Sequence, residues 1–174
     1  MSIREIITVP DEILKRVSKP IEKVGESEKK LIKDLFETMY SAKGIGLAAV
    51  QVGILKRVLV VDVSSKDEKK KPMCFINPTI RKLSDEMAVY EEGCLSIPDT
   101  FIEIQRPKIC EIEYVDIDGK TQIKKFDGLL STCVQHEINH LDGKLIIDHL
   151  SKLKRDIIVK KISKIKKNPD RILV

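Results

Sequence analysis

Two histidines set four residues apart, in Gln135-His136-Glu137-Ile138-Asn139-His140, constrain this chain more than any other feature. The residues around them read as a helix. Leu129, Leu130, Cys133, Val134, Ile138 and Leu141 recur at helical spacing, Asp127 offers an N-cap, and Asp142-Gly143 closes the run. A spacing of four puts both imidazoles on one helix face, one turn apart, where they can grip one metal ion. Glu137 lies beside the pair, close enough to take a proton from a metal-bound water. The chain has 3 histidines, and two of them are used here, so the pattern reads as a metallohydrolase site on a buried helix.

With 174 residues the chain has the length of one domain, and it can bury a real core. An apolar fraction of 42% excludes a disordered chain. No apolar run reaches the ~18 residues of a spanning helix, so no membrane partner is expected. Met1-Ser2-Ile3-Arg4-Glu5 lacks the apolar stretch of a signal peptide, and its acidic residue argues against a transit peptide. A cytoplasmic location is expected. Cys74, Cys94, Cys110 and Cys133 show no C-x-x-C spacing, and in a reducing compartment they are thiols available as ligands or core fillers. The net charge of +5 gathers at 66–71 and 152–167. This surplus is mild, and DNA binding is not expected.

Along the chain, 11–17 and 26–42 read as helices, the second carrying Leu31, Ile32, Leu35, Phe36 and Met39 on one face, with Gly44 as a left-handed cap. Lys56 to Val63 and Cys74 to Ile80 read as extended, separated by a charged loop. Ile102 to Tyr114 alternates, with Pro107 interrupting, and Asp118-Gly119 marks a hairpin turn before Gln122 to Phe126. Ser151 to Lys167 is amphipathic and basic, with Leu153, Ile157, Ile158, Ile162 and Ile165 as its apolar stripe. Helices, then strands, then one buried helix make an α+β domain.

A catalytic metal site needs a third ligand and an open position. The pattern H-E-x-x-H-x-x-G-x-x-H holds through Gly143 and fails at Ile146. Glu137 is the last glutamate, so no downstream glutamate serves either. Asp148, His149 and Asp156 remain downstream. Upstream stands Cys94, between a glycine that permits close backbone approach and Pro98, which stiffens the exit.

Three blocks taken together resemble the peptide deformylase family, in its order and spacing: Gly44-Ile45-Gly46-Leu47-Ala48-Ala49-Val50-Gln51, Glu92-Gly93-Cys94-Leu95-Ser96, and Gln135 to His140. The similarity extends from Val9-Pro10-Asp11 to the terminal helix. The resemblance implies removal of the N-formyl group from the formyl-methionine of newly made polypeptides, with release of formate. It implies a metal-bound hydroxide, with Cys94, His136 and His140 as ligands and Glu137 as acid/base. Ferrous iron is the implied native ion, with zinc, nickel or cobalt as substitutes. Gln51 and the Leu95 N–H are implied oxyanion donors, and Gly44, Ile45, Gly46 and Leu47 an edge that takes the peptide as an added strand, with Gly93 also on the substrate side. Ile45, Leu129 and Cys133 are the expected walls of a methionine slot.

The implied fold is antiparallel β-sheets around a central helix carrying the H-E-x-x-H motif. Residues 1–150 form the catalytic domain, and the basic helix of 151–174 packs on it from outside. Formyl-methionyl nascent peptides are the implied partners, with ribosome contact near the exit tunnel through the terminal helix, and a monomer is expected. Two positions depart from the family's pattern. Asn139 stands where an aspartate is usual, off the ligand face, and Phe101 stands where some relatives carry arginine near the substrate path. Glu92 is expected to pair with Arg106 and to prop the Cys94 loop.

Overall fold

The structure, a computed structural model, describes residues 2–65 and 67–167. Helix α1 (Glu26–Ser41) buries Leu31, Ile32, Leu35 and Met39, the face its spacing marked. At its start the Glu28 carboxylate accepts the Gly25 N–H at 3.1 Å. At its end Lys43, with φ 56°, takes the left-handed conformation expected of Gly44. The Gly44 N–H then closes the helix on the Met39 carbonyl at 2.9 Å. A Cβ at 44 would lie 2.7 Å from Leu95 Cδ1, so a larger residue there would displace the Leu95 side chain.

Strands β1 (Gly46–Ala48), β2 (Val58–Val61), β3 (Met73–Leu83), β6 (Cys110–Val115) and β7 (Thr121–Phe126) form an antiparallel sheet in the order β1-β2-β3-β6-β7. Strands β4 (Met87–Cys94) and β5 (Ile97–Pro107) form a separate two-stranded sheet. The large sheet is covered on both faces where it matters for the site. Val58, Val60 and Leu47 pack on α1, while Leu59, Val61 and Ala48 pack with Cys133, Val134, Ile138 and Leu141. This is the period of two along a strand, with both faces buried, and it explains the unbroken apolar run Val58–Val61. The second helix, α2 (Gly128–Leu141), is thereby enclosed, with ten of its residues buried.

Several expected boundaries move. The helix expected at 11–17 is a single 3-10 turn, Glu12–Lys15, because the Ser18 and Lys19 N–H groups bond instead to the Leu141 and Leu55 carbonyls. The alternating stretch from Ile102 to Tyr114 is two strands in different sheets, β5 ending at Pro107 and β6 starting at Cys110. Pro107 marks the crossing, as a residue without an N–H to give the ladder. Strand β4 was not read from the sequence. Asp127 does occupy the N-cap of α2, but its side chain makes no capping bond.

The terminal helix α3 (Lys152–Lys167) differs most from expectation. Its apolar stripe does not pack as a unit. Ile162 is buried, with Ile158 and Val159 partly covered against Ile97, Ile104 and Leu145–Ile147, whereas Leu153 is 72% exposed and Ile157 59%. The helix crosses the body at one turn, so residues before that turn meet solvent. Positions 168–174 of the expected terminal segment lie outside the described residues. No helix among the described residues is long and apolar enough to cross a membrane.

Candidate active site

Helix α2 brings His136 and His140 to one face with their Nε2 atoms 3.2 Å apart. Strand β4 ends at Cys94, whose Sγ lies 3.2 Å from His140 Nε2. These three donor atoms all lie within 4.8 Å of one another. A tetrahedral ion about 2.0–2.1 Å from nitrogen and about 2.3 Å from sulfur holds its donors roughly 3.3–3.6 Å apart. The cluster fits such an ion after small adjustments. It supplies two imidazoles and a thiolate and leaves a fourth position open, as a catalytic site requires. Asp148 and His149 take no part in it, being exposed on the turn Ile146–His149, and Asp156 is exposed on α3.

The cluster is held from behind by a carboxylate. Glu92, two residues before Cys94 and on the same side of β4, accepts the His136 Nδ1–H at 2.8 Å. That bond turns His136 Nε2 towards Cys94 and His140, where its lone pair serves an ion once the Nε2 proton has left. Arg106 clasps Glu92 through Nε at 2.5 Å and Nη2 at 3.0 Å, and its Nη1 donates to Asn139 Oδ1 at 2.7 Å. The expected Glu92–Arg106 pair is present, and Asn139 is its third member, off the ligand face. Burial opposes ionisation of Glu92, but His136 and Arg106 together hold its carboxyl below the usual range. Burial also disfavours a charged His136, yet hydrogen bonds to Cys94 and Glu92 carry it up to about 10, so ion binding must displace that proton. His140 is held well below its ordinary value by burial, with His136 and Arg106 adding repulsion, and is a neutral donor.

Glu137 takes no part in these hydrogen bonds. It is buried, and its Oε2 has no hydrogen-bond partner among the described residues. Burial, joined by the negative charge of Glu92, pushes its carboxyl up to about 7. An acid poised there both accepts and returns a proton near neutrality. Gly46 makes room for it: a Cβ at 46 would run into Glu137 Oε1 and lie 2.8 Å from Cys133 Sγ. Cys133 is a buried neutral thiol, its pKa raised by burial and by Glu137 and Glu92.

A cleft of about 590 Å³ opens in front of these groups. Gly44, Ile45, Gly46, Gln51, Gly93, Leu95, Leu129 and Cys133 line it beside Cys94, His136 and Glu137. Leu47 does not. Its side chain is fully buried against α1, because alternation along β1 turns it away from Gly46. β1 is an edge strand, and among the described residues no strand pairs on its outer side. Gln51 is locked by two contacts: its Oε1 accepts the Ala48 N–H at 2.8 Å and its Nε2 donates to Ser96 Oγ at 3.1 Å. The same Nε2 lies 3.8 Å from Cys94 Sγ. Leu95 sits in the two-residue turn between β4 and β5.

The family model for polypeptide deformylase matches residues 3–156. The chain belongs to this family of enzymes. A peptide deformylase of Pelagibacter ubique is 54% identical over 174 residues, 100% of both chains. The crystal structure of peptide deformylase from Ehrlichia chaffeensis in complex with actinonin superposes with TM-score 0.91 at 44% identity, over 98% of this chain and 99% of that one. A class I type b peptide deformylase from Acinetobacter baumannii, with Met-Ala-Ser bound, gives TM-score 0.80 at 30% identity, over 86% of this chain and 99% of that one. The deformylase family is metal-dependent, and Cys94, His136 and His140 form a group able to hold the ion.

Two supporting contacts in this deformylase fold escaped the reading of the sequence. The contact of Glu92 with His136 was not expected, although the i, i+2 spacing of Glu92 and Cys94 on one strand was the available signal. Ser96, which holds Gln51, carried no signal, since its partner is 45 residues away.

Proposed function

We propose that this chain removes the formyl group from formyl-methionine at the start of new polypeptides, releasing formate, with Cys94, His136 and His140 holding one divalent ion. One observation carries the reading: a three-donor cluster shares one cleft with buried Glu137, whose Oε2 has no partner among the described residues, beside an edge strand. When bound, the ion would polarise a carbonyl oxygen and lower the pKa of a water from ~16 towards ~7. Glu137 takes the proton of the attacking water and delivers it to the departing amine nitrogen. The second N–H of Gln51 Nε2 and the Leu95 N–H serve the oxygen on which charge develops, where one donor is worth about 2.7–4 kcal/mol of barrier.

The peptide lies along the free edge of β1, joined through main-chain hydrogen bonds near Gly44, Ile45 and Gly46. Exposed Ile45 and Leu129 with buried Cys133 offer an apolar slot suited to methionine. The relative from Acinetobacter baumannii was solved with Met-Ala-Ser bound, a peptide that begins with methionine. A thiolate ligand favours softer or redox-active ions, which supports ferrous iron, with zinc, nickel or cobalt as substitutes. The same reading makes the protein a cytoplasmic monomer. The exposed lysines 152, 154, 160, 161 and 164 of α3 support a contact with the ribosome near the exit tunnel.

Anaerobic, metal-loaded protein should release formate from formyl-Met-Ala-Ser and leave acetyl-Met-Ala-Ser intact. No formate with the metal demonstrably bound would refute the reading. Deleting 152–174 should spare that rate and lower co-sedimentation with ribosomes in a salt-sensitive way. Unchanged co-sedimentation would remove the ribosomal contact.

A further inference from the structure

We propose that Asn139 sets how tightly the cluster of Cys94, His136 and His140 holds its ion, by giving Arg106 a neutral partner where a charged one would also fit. The inference rests on the reading of that cluster as a metal site. Arg106 is buried, and its guanidinium is divided between two partners. Nε and Nη2 donate to the Glu92 carboxylate, and Nη1 donates to Asn139 Oδ1 at 2.7 Å. Asn139 is partly buried on α2, a neighbour of His136 at a spacing of three and directly before His140. Glu92 in turn accepts from His136 Nδ1 at 2.8 Å. One line of contacts therefore runs from Asn139 through Arg106 and Glu92 to a ligand of the ion.

The charges along that line cancel. Glu92 brings one negative charge, Arg106 one positive, and Asn139 none. Among the described residues Glu92 is the carboxylate that pairs with Arg106. Geometry does not impose the amide. Nη1 needs one acceptor, and an aspartate, the same shape as asparagine, would supply it through a charge-assisted bond. The choice between the two side chains is therefore a choice of charge. A carboxylate at 139 would stand beside His136 and His140, both buried, where charges are less screened than in water. It would attract a divalent cation more strongly and oppose its pull on a carbonyl oxygen. The amide leaves the ion less tightly held and more strongly polarising than an aspartate would.

The test uses the full chain and the metals alone. Zinc and copper(I) affinities are measured anaerobically, by competition with chelators, for wild type, Asn139→Asp and Asn139→Leu. Asn139→Asp should bind zinc about tenfold more tightly than wild type. Asn139→Leu should bind it about three- to tenfold more weakly, because Nη1 then loses its acceptor. Coulombic attraction scales with the charge of the ion, so the gain in Asn139→Asp should be smaller for copper(I) than for zinc. Zinc affinity unchanged or weakened in Asn139→Asp would overturn the proposal. So would an equal gain for both ions, which would make Asn139 a brace for Arg106 with no part in the charge. Failure of wild type to bind zinc would instead bring down the metal-site reading on which the inference stands.

Discussion

Helices α2 and α3 are both amphipathic by sequence, and the fold treats them in opposite ways. Helix α2 has 14 residues and buries ten of them, including Gln135, His136, Glu137 and His140. Helix α3 has 16 residues, and of its described side chains Ile162 is the one counted as buried. The lesson concerns polar groups. On α2, enclosure by the sheet and the β4–β5 hairpin removes water, so each polar atom must find a partner or remain reactive. His136 finds Glu92, while Glu137 finds nothing and is pushed up to about 7 by burial. On α3 most polar side chains are exposed, and Arg155 makes an ion pair with Asp148 at 3.3 Å.

The largest effect should come from the unpartnered group on α2. Glu137→Gln should lower kcat for formate release by roughly 10²–10⁴ while metal content stays the same. Retained turnover with metal bound would break the contrast, because the buried carboxylate would then not be the reagent. Next comes the support behind the cluster. Glu92→Gln should weaken metal affinity by about 10–100-fold, and a double-mutant cycle with Arg106→Met should show coupling. Additive losses in that cycle would mean that Arg106 does not act through Glu92.

A smaller effect separates the two ends of α3. Ile162→Val should cost about 0.5–1.5 kcal/mol of stability, whereas Ile157→Val should stay within roughly 0.5 kcal/mol. Urea titrations giving equal costs would show that the stripe packs along its length after all. The smallest effect lies on α1, where Glu28 is nearly buried but fully partnered. Its bonds to Lys56, Ser27 and the Gly25 N–H hold its carboxyl down to about 2. A depressed carboxyl contributes stability above its unfolded value, about 4.3, and that contribution is lost as pH falls towards 2. Glu28→Gln should therefore be less stable than wild type near neutrality, with the gap closing by pH 2. A gap that persists unchanged through this window would assign the loss to packing.

Much of the site was legible because it is written in local spacing. His136 and His140 share a face by helix geometry alone, and the three blocks carried Cys94, Gln51 and Glu137 with them. Cys94 as the third ligand rested on the resemblance, since Asp148, His149 and Asp156 were equally open to a reading of spacing. Leu47 shows what a block leaves open. Gly46 before it lines the cleft, yet the pleat of β1 turns the Leu47 side chain into the core beneath α1. At Gly44 the expected left-handed φ falls on Lys43 instead, and the glycine lies close against the Leu95 side chain.

The fold divides in the same way. The spacing of Leu31, Ile32, Leu35 and Met39 determined α1, and the run Val58–Val61 a buried strand, because those patterns repeat within a few residues. The split of 102–114 between two sheets, the strand β4 and the shortening of the first helix depended on partners far along the chain. By itself the sequence determined the family and a buried helix that carries two histidines and a glutamate within one turn. Only the tertiary structure decided which carboxylate steadies His136, which is left unpaired, and which face of α3 stays wet. Those outcomes depend on burial, and burial is set by what packs on a residue from elsewhere in the chain.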